Sequence, residues 1–139
     1  MTGLNAFGIT RADHIPGRRI VTTTKSHSNK AVIEAVQAVQ PTEVVRTGGA
    51  GYKVLQVIEG MADAYVFASP GCKKWDTCAP EAILRALGGT LTDILGNDIR
   101  YDDVKALKNL TGVLATKCEH QTYVDKIPES VKEQMKMNK

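Results

Sequence analysis

The sequence has 139 residues, of which 42% are hydrophobic and 24% are charged, and its formal net charge is +3. This length suits one domain with a core of its own, and the charge is too small to indicate binding to a nucleic-acid polymer or to a membrane surface. No segment approaches the ~20 consecutive apolar residues of a transmembrane helix, and the N-terminal residues lack the apolar run of a secretory signal peptide.

The predicted elements alternate between strands and helices along the first half of the chain. A run of β-branched residues indicates a strand, and apolar residues at helical spacing indicate a helix. The predictions up to residue 60 are a strand at 19–24, a helix at 30–40 with Ser28 as its N-cap and Pro41 after it, a strand at 43–46, a turn at 48–51 and a helix from Tyr52 to Gly60.

The second half continues the alternation. Its predicted elements are a strand at 62–68, a helix that begins near Asp76 with Pro80 in its first turn, strands at 90–94 and 111–115 joined by a turn at 96–97, and an amphipathic helix at 128–139. Such alternation is typical of α/β proteins. Because the chain shows no internal repeat and no low-complexity linker, we expect one α/β unit over residues 1–139.

The first candidate site is the segment 24–29, Thr-Lys-Ser-His-Ser-Asn, between the first strand and the first helix. Ligands of open α/β sheets bind at such junctions. Free backbone N–H groups there can hold an anion, and His27 could donate a hydrogen bond to a phosphate or a base. The alternative is that Ser28 only caps the helix, which is the more common use of serine there, and that His27 is a surface residue.

The second candidate site is the segment 48–53, Gly-Gly-Ala-Gly-Tyr-Lys. Glycine allows the backbone to approach a ligand closely, and Lys53 in the first turn of the following helix would direct a positive charge at a phosphate. The spacing matches neither a Walker A loop nor GxGxxG. A simple turn between a strand and a helix is the alternative.

The third candidate site is the segment 73–80, Lys-Lys-Trp-Asp-Thr-Cys-Ala-Pro. A carboxylate at a helix N-terminus is stabilised by the helix dipole. Asp76 could equally be a ligand of Mg²⁺, which prefers carboxylate oxygens and retains waters and phosphates as its other ligands. The alternative is that Asp76 is a plain N-cap and that Trp75 belongs to the core.

The three cysteines show no metal-binding or disulfide pattern. Cys72 and Cys78 are expected to be buried small residues, and His120 lies in no recognisable constellation. Cys72, Cys78 and Cys118 are odd in number and form no disulfide framework, which favours a reducing compartment. We therefore expect the protein in the cytoplasm.

The third segment also carries a family resemblance. Trp-Asp-Thr-Cys-Ala-Pro at 75–80 resembles the Trp-Asp-x-x-Ala-Pro signature of the inositol-monophosphatase-like, lithium-sensitive phosphatases. Residues 68–74, 26–30 and 48–51 are similar to the 3'(2'),5'-bisphosphate nucleotidase branch of that family. The resemblance extends from about Gly3 to Val131 and so covers nearly the whole chain.

The resemblance implies a fold and an activity. It implies the C-terminal half of a layered α/β/α/β/α sandwich, with a mixed sheet and flanking helices, which grips the substrate. The branch removes the 3'-phosphate of adenosine 3',5'-bisphosphate in a Mg²⁺-dependent reaction, and relatives act on the phosphosulfate analogue or on inositol bisphosphates. By the same resemblance Asp76 is a metal ligand, whereas Thr24, His27, Gly49 and Lys53 contact the nucleotide, which is adenosine 3',5'-bisphosphate or AMP.

The sequence also departs from the family. The Asp-x-x-Asp-Gly-[Ser/Thr] run of the family's N-terminal half does not occur here, nor does its water-activating Asp/Thr pair, and Tyr52 stands where the branch more often has a small polar residue. We therefore expect no catalytic residue in this chain, which would be a truncated, inactive nucleotidase that self-associates through the face left open. The alternative is a non-catalytic module that binds adenine nucleotides or a protein partner.

Overall fold

The computed structural model describes residues 17–25, 29–101 and 108–138. The predicted N-cap Ser28 and the candidate ligand His27 lie outside the described residues. Within them the elements are, in chain order, β1 Ile20–Thr24, α1 Lys30–Ala38, β2 Glu43–Thr47, α2 Ala50–Ile58, β3 Ala64–Phe67, α3 Trp75–Ala86, β4 Thr90–Thr92, β5 Val113–Thr116, α4 His120–Lys126 and α5 Glu129–Met137.

The described strands form one mixed five-stranded sheet in the order β2-β1-β3-β5-β4. β1 is parallel to both β2 and β3, whereas β5 is antiparallel to β3 and β4. Parallel neighbours need a crossover connection, and α1 and α2 supply the two crossovers from β1 to β2 and from β2 to β3. The mixed sheet with flanking helices confirms the predicted fold class.

Helices cover both faces of the sheet, and β3 shows how one strand serves both. Its side chains alternate between faces: Ala64 and Val66 pack into the cluster with α1, α4 and α5. Tyr65 and Phe67 pack into the opposite cluster with α2 and α3. A strand buried on both faces reads as a continuous apolar run, which is why the sequence predicts it correctly.

Several predicted boundaries are wrong. α1 is capped by Asn29 and not by Ser28, because the Asn29 Oδ1 accepts a hydrogen bond from the Val32 N–H at 2.9 Å. α2 begins at Ala50, two residues before the predicted start, with Gly49 as its N-cap. The turn between β2 and α2 is therefore shorter than the run of glycines suggests.

The C-terminal part of the chain differs from the predictions more strongly. α3 begins at Trp75, so Pro80 lies in its second turn and lacks the N–H that would bond to the carbonyl of Asp76. β4 ends at Thr92, and β5 begins at Val113. α4 was not predicted. In the part of the chain that the structure describes, no helix is long and apolar enough to cross a membrane.

His120, the first residue of α4, joins that helix to the two antiparallel strands. Its Nε2 lies 2.7 Å from the Thr92 Oγ1, and its Nδ1 lies 2.8 Å from the Thr116 Oγ1. Burial and, to a smaller extent, the nearby Arg85 lower the pKa of His120 to about 4, against the opposing effect of Asp98. The folded protein therefore holds this imidazole neutral.

We expect His120 to make stability depend on pH. The pKa is near 6.5 in the unfolded chain and about 4 in the folded one, so the unfolded state binds more protons between these values. The contribution of His120 is complete above about pH 6.5 and is lost as the pH falls towards about 4, by roughly 1–2 kcal/mol at about pH 5. Urea unfolding at about pH 7.5 and about pH 5 should show this loss.

The matched variants are His120→Gln and Asp98→Asn. His120→Gln should remove this part of the pH dependence, whereas Asp98→Asn should retain it, because it removes a carboxylate that opposes the lowering of the His120 pKa. An equal loss of stability in the wild type and in His120→Gln would contradict the assignment.

Candidate functional site

Three loops at the carboxyl ends of β1, β2 and β3 enclose a cavity of about 520 Å³. Ligands of open α/β sheets bind at this edge. The cavity wall contains four of the five predicted site residues, Thr24, Gly49, Lys53 and Asp76. The fifth, His27, lies outside the described residues. The fold therefore brings together residues that are far apart in the sequence.

The loop after β1 is tied to the loop after β3. The Asn29 side chain caps α1 through its Oδ1, and its Nδ2 donates a hydrogen bond to the Ser69 Oγ at 3.2 Å. The Ser69 Oγ in turn donates to the carbonyl of Pro70 at 3.2 Å. All three residues line the cavity. Asn29 belongs to the first candidate segment without a role of its own, and Ser69 lies in none of the three candidate segments, because their pairing joins positions 40 residues apart.

The turn after β2 depends on a glycine. Gly49 has φ 82° and ψ 119°, and it is the N-cap of α2 without a side-chain hydrogen bond. A φ in this range disfavours residues with a Cβ. Since no capping side chain occupies them, the first N–H groups of α2 are available to an anion.

Lys53 lies in the cavity wall and not on the surface. Its side chain is 3% exposed, and its Nζ donates hydrogen bonds to the carbonyls of Thr47 at 3.0 Å and Gly49 at 3.1 Å. The Nζ also lies 5.4 Å from the centroid of the Tyr65 ring, a cation–π arrangement. Burial lowers the pKa of Lys53. The Lys53 ammonium is therefore already hydrogen-bonded to the glycine turn, and a ligand in the cavity would be an additional partner of it.

Asp76 lies in the first turn of α3, where the helix dipole favours a carboxylate. Its Oδ2 accepts a hydrogen bond from the Lys73 N–H at 3.0 Å. Lys74 occupies the N-cap position, so Asp76 is not the plain cap of the alternative interpretation. Trp75 is 57% exposed with the Lys73 ammonium 4.7 Å from its ring centroid, which excludes the interpretation of Trp75 as a core residue.

The described residues do not form a complete magnesium site. Among them no group of three or more His, Cys, Asp or Glu side chains could hold a metal ion, and Asp76 offers one carboxylate to the cavity. A single carboxylate binds Mg²⁺ weakly, because the ion surrenders its waters reluctantly. No catalytic step through a metal follows from this arrangement.

Neutral aromatic and thiol groups form another part of the wall. The Tyr65 hydroxyl lies 3.9 Å from the Cys72 Sγ, and the Tyr65 and Phe67 rings are stacked with their centroids 6.4 Å apart. Burial raises the pKa of both the Tyr65 hydroxyl and the Cys72 thiol. Cys72 is buried as predicted, whereas the same prediction for Cys78 is wrong because that residue is exposed at the start of α3.

Comparisons with known proteins identify a family. The model of the Inositol monophosphatase family matches residues 6–133. The chain is 57% identical over 131 residues to 3'(2'),5'-bisphosphate nucleotidase 1 of Homo sapiens and 51% identical over 116 residues to the protein of that name from Dictyostelium discoideum. These alignments cover 94% and 83% of this chain but 42% and 37% of the relatives. The chain thus spans less than half the length of the curated relatives that it matches.

Solved structures show the same fold at low sequence identity. An inositol monophosphate-bound SaIMPase-II superposes with a TM-score of 0.73 at 16% identity, covering 94% of this chain and 50% of that one. A 2'AMP-bound SaIMPase-II superposes with a TM-score of 0.70 at 14% identity, with the same coverage of both chains.

The backbone of the glycine turn predicts a clear difference between two neighbouring substitutions. Gly49→Ala should lower the free energy of unfolding by about 1–2 kcal/mol, because alanine disfavours a positive φ. A Cβ at Gly49 would meet only the Tyr52 Cβ, at 3.8 Å, so crowding adds little. Gly48→Ala is the matched control, since a Cβ there has no atom within 4 Å and its φ is not positive. Equal urea-unfolding curves for the two variants would contradict this account.

Proposed function

The chain belongs to the inositol monophosphatase family, and we propose that it forms the nucleotide-holding part of a 3'(2'),5'-bisphosphate nucleotidase. The observation that carries the proposal is the cavity in which Thr24, Gly49, Lys53 and Asp76 meet. Relatives of this name are 51–57% identical to the chain. The proposed reaction is removal of the 3'-phosphate of adenosine 3',5'-bisphosphate, and the proposed ligands of this chain are that nucleotide and AMP.

The cavity has the chemistry that a nucleotide phosphate requires. The uncapped N-terminus of α2 offers backbone N–H groups and the positive end of a helix dipole. Lys53 adds a full positive charge in the wall beside it, where partial exclusion of water strengthens electrostatic attraction. Tyr65 and Phe67 also line the cavity, but at 1% and 5% exposure they contribute only the edge of its apolar wall. An inositol bisphosphate shares the phosphate chemistry but not the base.

We propose Mg²⁺ as the metal of the reaction, with Asp76 as the ligand that this chain contributes. When bound, such an ion would polarise the phosphoryl oxygens and activate a water. The residues of this chain bind and orient the nucleotide at the carboxyl edge of the sheet. The other metal ligands would have to come from residues outside the described set. The second candidate function is a non-catalytic module that binds adenine nucleotides, which would need no further metal ligands.

The 139-residue chain should release no phosphate from adenosine 3',5'-bisphosphate in the presence of Mg²⁺, since metal and electrostatic effects supply most of the rate in phosphoryl transfer. A phosphate-release assay with and without lithium measures this. Asp76→Asn is the control: release above background that disappears in this variant would show that the chain holds a working metal site.

AMP should nevertheless bind weakly. Calorimetry should show this binding, and Lys53→Met, which keeps the apolar stem but removes the charge, should weaken it about threefold to tenfold. Lys108→Met removes an exposed lysine that does not line the cavity and should leave the affinity unchanged. Equal affinities of the wild type and Lys53→Met would exclude Lys53 from the nucleotide site.

We also propose that the chain self-associates. β2 lies at an edge of the sheet, so one row of its backbone groups has no strand beside it among the described residues. The same strand carries the apolar residue Val44, which is 37% exposed. Exposed edges pair with other chains. Sedimentation velocity over a range of concentrations should show a growing fraction of larger species, whereas one monomeric species at all concentrations would contradict the proposal.

A further inference from the structure

A buried polar cluster lies directly behind the glycine turn. The Gln56 Oε1 accepts a hydrogen bond from the Thr22 Oγ1 at 2.7 Å and one from the Thr47 Oγ1 at 3.3 Å. The two threonine Oγ1 atoms lie 3.3 Å apart. The cluster joins the middle of β1, the last residue of β2 and the C-terminal half of α2.

The burial of this cluster is unusual for its composition. Thr22 is 0% and Gln56 6% exposed, whereas Thr47 is half-buried. The flanking α2 residues Val54 and Val57 are buried and apolar, so Gln56 is a polar side chain on an otherwise largely apolar face of the helix. A buried hydroxyl without an acceptor is costly, and Gln56 supplies that acceptor to two strands at once.

Thr47 links this cluster to the cavity. Its hydroxyl belongs to the cluster, whereas its backbone carbonyl accepts the hydrogen bond from the Lys53 Nζ at 3.0 Å. Lys53 lies one turn before Gln56 on the same helix, so both side chains reach back to the end of β2. Fixing the Thr47 backbone therefore fixes one of the two carbonyls that hold the ammonium.

We propose that Thr22, Thr47 and Gln56 are positioning residues of the nucleotide site: they hold the Thr47 carbonyl, and through it the Lys53 ammonium and the Gly49 turn, in the geometry that binds a phosphate. The identity of the ligand rests on the proposed function, whereas the effect on Lys53 does not. None of the three side chains lines the cavity, so their influence on a ligand passes through Lys53 and the turn.

The test compares isosteric pairs. Thr22→Val and Thr47→Val keep the shape of threonine and remove the hydroxyl, whereas Thr22→Ser and Thr47→Ser keep the hydroxyl. One readout is AMP affinity by calorimetry. The other is the NMR titration of the Lys53 side-chain signal in a lysine-labelled chain, assigned by its loss in Lys53→Met. Thermal unfolding of each variant separates a change in stability from a change in the site.

Both valine variants should weaken AMP binding about threefold to tenfold and should shift the titration of Lys53, while both serine variants stay within about twofold of the wild type. The Thr22→Val result is the most informative, because the Thr22 hydroxyl reaches Lys53 through its hydrogen bonds with Gln56 and Thr47. Valine variants with a wild-type Lys53 signal would overturn the proposal, as would serine variants that lose as much affinity as the valine ones.

The two readouts also separate this proposal from the proposed function. If the wild type binds no AMP, the proposed function fails, but the Lys53 signal still shows whether the cluster positions the ammonium. If a valine variant does not fold, Gln56→Met removes the shared acceptor while it keeps the side-chain volume. A folded Gln56→Met variant with an unchanged Lys53 titration would overturn the proposal.

Discussion

The parallel pairing of β1 with both of its neighbours is the constraint on which the rest of the structure depends. It places the carboxyl ends of β1, β2 and β3 at one edge of the sheet, with Thr24 directly opposite Thr47 in the register. Each parallel connection needs a helix, and α1 and α2 pack into clusters on opposite faces of the sheet. The cavity lies where the connections leave the sheet, so its loops are neighbours because of strand order and not because of sequence proximity.

Tertiary hydrogen bonds, more than local capping, fix the walls of this cavity. Asn29 reaches Ser69 across 40 residues, and Thr22 reaches Gln56 across 34 residues. The local bond from Lys53 to the carbonyl of Gly49 completes the turn. These bonds join elements that the strand order already places side by side, so they fix the relative positions of those elements. Groups held in this way would need little rearrangement to bind the proposed phosphate.

The strands and most helices could be predicted because their signals are local. The β-branched run of β1 and the continuous apolar run of β3 specify a strand without reference to the rest of the chain. α4 could not be predicted, since it has two buried residues, Tyr123 and Val124, and begins after Glu119 at a φ of 58°. Serine and asparagine are equally suitable caps, so the choice of Asn29 over Ser28 also depended on the tertiary structure.

The same distinction explains which candidate site residues the sequence indicated. Gly49 and Asp76 stand out because a glycine before a helix and a carboxylate in a first turn have specific local meanings. Gln56 does not, since a single polar residue on an apolar helix face acquires its meaning only from the hydroxyls that it meets on two strands. Lys53 is intermediate: its position was predicted, but its two carbonyl acceptors show that its charge is shared between the turn and the cavity. Under the proposed function, binding of a phosphate would cost little further side-chain entropy at Lys53, because that entropy has already been lost on folding.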